Sequence, residues 1–139
     1  MSPDQAKEEL QRRADAIEGG YELMLAYAAQ GLSSDRSAAN SSQLRDHLQR
    51  FEAALTGLPQ VYRGAAAALG IGPGDALEGL LASLEADARF TQSALRMALA
   101  QPGGISSQLI DNINASIHVR ALLTDVFVID ELLTGAVGE

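Results

Sequence analysis

The side chains best suited to chemistry in this sequence are two imidazoles and the carboxyl groups near one of them. His47 and His118 are its histidines. Drawn on a helix at about 100° per residue, Asp111, Asn114, His118 and Asp125 fall within a sector of about 60°. An imidazole flanked by carboxylates can hold a polar ligand or pass a proton. His118 with Asp125 or Asp111 is then the acid–base pair of a catalytic reading. The plainer reading of the same sector is the solvent face of a helix. Tyr21 and Tyr62 could orient a small apolar molecule between helices, although both fall on apolar seams, where core packing with a hydroxyl at the rim is the simpler role.

Other chemistries lack their residues. There is no Cys, which removes disulfides, thiolate metal sites and thiol catalysis. Di-metal helical sites use Glu-x-x-His, so that carboxylate and imidazole converge on one axis. Here Leu44 and Ala115 stand where those glutamates would be. The glycine-rich stretch 70–74 opens a helix, but no Lys follows it, and Asp75 occupies the place an anion would take. No metal and no cofactor is expected.

Charge and composition narrow the partners. A formal charge of −8 repels phosphate backbones and acidic membrane surfaces, so neither nucleic acid nor a membrane is an expected partner. The start, Met-Ser-Pro-Asp-Gln, has no basic region followed by an apolar one, and the run from Val119 to Leu133 is interrupted by Arg120, Asp125 and Asp130. A cytoplasmic location is the resulting expectation. With 47% apolar residues but only 4% aromatics, Leu, Ile and Ala must fill the core.

Four stretches carry apolar residues in alternating steps of three and four, which places one apolar stripe along one side of a helix. They run from Leu10 to Ala28, Leu44 to Tyr62, Leu77 to Ala98, and Ile110 to Leu132. Ser2 with Gln5, Asn40 with Gln43, and Asp75 with Glu78 have the spacing of N-terminal capping pairs. These signals predict helices over about 3–30, 42–58 (continuing or breaking at Pro59 to 69), 75–101 and 106–133. The expected fold is a single all-α domain over 1–139, a mostly antiparallel four-helix bundle with a kinked or split second helix. The pair Gly19–Gly20 lies inside the first helix, where the apolar register continues unbroken, so a close helix crossing is expected there.

The last helix carries more apolar surface than one seam explains. Opposite Ile110, Ile113, Ile117, Ala121 and Val128 lies a second set that includes Val119, Leu123, Val126, Ile129 and Leu133. Either this helix is central and wrapped by the others, or part of its circumference is an interface. The interface reading takes Val119, Leu123, Val126, Phe127, Ile129 and Leu133 as contact residues with a second copy or another protein. The function expected from sequence is a non-enzymatic accessory or scaffold protein acting through helix-mediated association. A ligand-binding module and an enzyme built on His118 are the alternatives.

Overall fold

A computed structural model describes residues 1–135. Its elements are α1 (Pro3–Ala28), a single 3-10 turn (Asp35–Ser37), α2 (Ser41–Ala54), α3 (Leu58–Ala68), α4 (Asp75–Leu99), α5 (Ser107–Ala115) and α6 (Ile117–Gly135). The fold is all-helical among the described residues, with six helices where the seams predict four. The difference arises because the second and fourth expected helices each divide in two.

The first helix follows its sequence signals. Ser2 accepts from the Gln5 amide at 3.1 Å, and the Gln5 side chain accepts from the Ser2 amide at 2.8 Å, closing the expected capping box. α1 continues through Gly19 and Gly20. Only Gly20 marks a close crossing: a Cβ there would lie 2.7 Å from the Phe51 ring of α2, whereas one at Gly19 would meet nothing nearer than His47 Nδ1 at 3.9 Å. The other two capping pairs do not form. Asn40 makes no side-chain cap, and α4 begins from Gly74, leaving Glu78 to pair with Arg63 at 2.8 Å.

The second helix breaks ahead of Pro59. Gly57 takes φ +65°, a conformation that glycine adopts without strain, and α3 restarts with Pro59 as its second residue. Proline is tolerated in a first turn, where its missing N–H has no intrahelical partner to lose. Arg13 of α1 covers the break, donating to the carbonyls of Ala54 at 3.0 Å and Thr56 at 2.8 Å.

The fourth helix breaks at Ser116, whose ψ of 135° is extended. The Ser116 hydroxyl accepts from the His118 amide at 3.1 Å and its carbonyl from the Arg120 amide at 3.2 Å, so this serine caps a new helix. The inward apolar positions are Ile110 and Ile113 on α5, then Val119, Leu122, Val126, Ile129 and Leu133 on α6. Between Ile113 and Val119 the step is six residues, which neither a three-plus-four nor a four-plus-four step of one helix allows. The break absorbs this mismatch and transfers α6 to the second of its two apolar sets.

α1 packs against α2, α3, α5 and α6, and α4 packs against α2, α3, α5 and α6. Their shared core includes Ile17, Met24, Leu48, Phe51, Leu84 and Leu95. Buried Asp35 joins the two long connections. Its carboxylate accepts from Arg45 at 2.7 Å, Ser41 at 2.7 Å and the Ile105 amide at 2.7 Å. The Arg45 guanidinium is the main reason its pKa lies far below the usual carboxylate range. Tyr27 completes this corner by donating to the Ile105 carbonyl at 2.5 Å. Together these bonds fix where α5, and hence α6, begins.

Candidate functional site

The chemistry-bearing residues of the fourth predicted helix do not form one stripe. Asp111 and Asn114 belong to α5, and His118 and Asp125 to α6, with the break between them. Asp111 is exposed beside an open depression of about 810 Å³ lined also by Leu32, Ser33, Ser106 and Gln108. Asn114 points the other way. It is buried, and neither its amide nitrogen nor its oxygen has a hydrogen-bond partner among the described residues. The single polar sector read from sequence is therefore corrected: it assumed one straight helix, and the break separates its halves.

His118 and Asp125 do meet, through a residue that sequence reasoning missed. Asp87 of α4 lies 3.1 Å from His118 Nδ1 through one oxygen, and its carboxyl is also within hydrogen-bonding reach of Asp125. Phe90, one turn along α4, stacks on the imidazole with ring centres 4.6 Å apart. Burial, and then the Asp87 carboxylate, raise the Asp125 pKa from 3.8 to about 7. A carboxylate beside a second carboxyl group disfavours its ionisation, which adds to the effect of burial here. Asp125 Oδ2 is buried and has no hydrogen-bond partner among the described residues. This cluster lies in the α4–α6 contact. Asp87 sits one position before the seam residue Ala88, which is the boundary placement that could have suggested it.

On its other side α6 meets α3. The Tyr62 hydroxyl donates to Asp130 at 2.9 Å. Burial, followed by the Asp130 charge, pushes the Tyr62 pKa up. Burial also raises Asp130 to about 6, opposed by the Tyr62 hydrogen bond and assisted by Glu18 of α1. Tyr62 is thus enclosed with its hydroxyl committed, while Tyr21 is half-buried against the core. Neither lines the depression at the start of α5.

The expected contact residues of the last helix divide as well. Val119, Val126, Ile129 and Leu133 are enclosed by the chain itself, and Leu123 is half-buried against the core. The four enclosed residues cannot offer contact area to a partner while α6 keeps its place, so for them the expected interface is corrected. The reason is again Ser116, which rotates the second apolar set inward. Phe127 remains exposed at 52%. So does the continuation of the first seam: Ile117 at 74%, Val128 at 43% and Leu132 at 52%.

No protein-family model, curated protein or solved structure matches this chain. Its own geometry must therefore carry any functional reading. Among the described residues no three His, Asp or Glu side chains gather as a metal-holding group, and no helix is long and apolar enough to cross a membrane.

Proposed function

We propose that this chain is a non-enzymatic accessory or scaffold protein that acts through helix-mediated association, with the outward face of α6 as its docking surface. The exposure of Ile117, Phe127, Val128 and Leu132 carries the reading. The inner face of the same helix is already fully occupied by core contacts, so packing within the chain gives no reason for a second apolar row. Together the four leave on the order of 400 Å² exposed, comparable to the largest apolar patch on a typical monomer, which is often functional. The His118–Asp87–Asp125 cluster supports a structural role better than a catalytic one, because Asp87 holds His118 Nδ1, Phe90 stacks on one face of the ring, and Asp125 is half-buried in the α4–α6 contact.

The test is the native size of the protein in a gently prepared extract. The association reading expects the chain to migrate well above its 14.6 kDa monomer mass, and Val128→Asp to return it to that mass without lowering its melting temperature. Migration of the unaltered protein as a monomer in the extract would refute the reading.

A further inference from the structure

Any occupant of the outward face of α6 must match its charges as well as its apolar row. Arg120 and Glu131 are both exposed, and neither forms an ion pair among the described residues. Eleven residues of helix is close to three whole turns, so the two stand on one flank of the row, within about 20° of each other and about 16 Å apart along the axis. Phe127 lies on the same flank between them.

We propose that this face pairs antiparallel with the same face of a second copy of the chain, so that Arg120 of each copy meets Glu131 of the other. The proposal rests on the association reading above and names its partner. A twofold axis perpendicular to two antiparallel helices keeps each flank on its own side. The flank reading Arg–Phe–Glu in one direction then faces Glu–Phe–Arg in the other, giving two opposite-charge pairs with the phenylalanines adjacent near the axis. Parallel pairing, with the axis along the helices, would instead carry this flank to the opposite side of the contact in the second copy, so that Arg120 and Glu131 would find no counterpart across it. Between Ile117 and Val128 the row carries Ala121 and Thr124, whose small side chains let two helix backbones approach closely.

The area fits a weak dimer. If about 400–500 Å² is covered per copy, the total is about 800–1,000 Å², at or just below the lower bound for a stable specific interface, which makes the pairing a weak, transient one. The net charge of −8 on each copy opposes pairing, but at physiological salt charges beyond about 8 Å are largely screened, and the local pairs decide.

Sedimentation of the purified full chain from about 10 µM to 1 mM tests this. Dimerisation is expected, with Arg120→Glu alone and Glu131→Arg alone each weakening it about tenfold, since each creates two like-charge contacts, and the double exchange restoring it to within about threefold. A dimer lost on Val128→Asp but unaffected by either charge reversal would overturn the antiparallel pairing and leave α6 as the docking face. A purified chain that stays monomeric throughout, while the extract still shows a larger species, would overturn the second copy as partner without touching the association reading. Circular dichroism melting of each variant separates loss of pairing from loss of fold.

Discussion

Replacing Asp125 with Asn should stabilise this protein at alkaline pH and leave it unchanged in mild acid. In the fold, burial and Asp87 hold the Asp125 proton to about pH 7, whereas the ordinary value is 3.8. The folded state therefore binds this proton more tightly than the unfolded chain. Below about pH 4 Asp125 carries no penalty; stability is lost progressively as pH rises towards 7, and the loss is constant above it. At about 1.4 kcal/mol for each pH unit the full penalty would be about 4 kcal/mol. Solvent reaching the pair screens part of that, which leaves about 1–2 kcal/mol. Asparagine keeps the shape, needs no proton, and can donate its amide hydrogen to Asp87. Thermal unfolding followed by circular dichroism should show Asp125→Asn melting about 3–8 °C above the unaltered protein at pH 8. At pH 4 the two should nearly coincide, with the gain growing from there towards pH 7. An equal gain at both pH values, or a lower melting temperature at pH 8, would refute this account of Asp125 in the α4–α6 contact.

The glycine pair in α1 offers a comparison between neighbours. Gly20→Ala forces a Cβ to 2.7 Å from the Phe51 ring and should destabilise by about 1–3 kcal/mol in denaturant titration. Gly19→Ala has room and should stabilise by up to about 1 kcal/mol through helix propensity alone. Asp35→Ala should lower stability by about 3 kcal/mol at pH 7, because it strands Arg45, Ser41 and the Ile105 amide together. Since Arg45 holds the Asp35 pKa far below its usual range, the benefit of this carboxylate is present above about pH 4 and fades on acidification. The difference between variant and unaltered protein should therefore shrink as the titration is repeated at lower pH.

Where a helix carries one apolar stripe and clear stop signals, the sequence was a sufficient guide. Leu10, Ile17 and Met24 in α1, Leu44, Leu48 and Phe51 in α2, and Leu81, Leu84 and Leu95 in α4 all lie on their seams and are buried. The last stretch misled because it is apolar in two registers. Periodicity alone favoured the row from Ile110 through Ile117 to Val128, and the structure buries that row only as far as Ile113. Two local signs marked the change, a serine able to cap and a six-residue step between inward positions, and both count only once the alternative register is weighed. The carboxyl cluster was half legible. His118 and Asp125 share one helix, but Asp87 precedes His118 by thirty-one residues, and only the packing of α4 on α6 brings it near. Asp35 was invisible for the same reason: its partners come from two other segments, α2 and the connection before α5.

The joint at Ser116 also governs how this chain tolerates changes of length. α5 and α6 fall one residue short of sharing a continuous helical phase. A single alanine added beside Ser116 would bring Ile113 and Val119 into the seven-residue spacing of an unbroken helix, so an insertion at this joint leaves both inner faces in register. One residue added in the middle of α6 instead turns everything beyond it by about 100°, carrying Ile129 and Leu133 out to water. Natural or engineered variants of this chain should therefore gather their length changes at the serine and leave the helix after it intact.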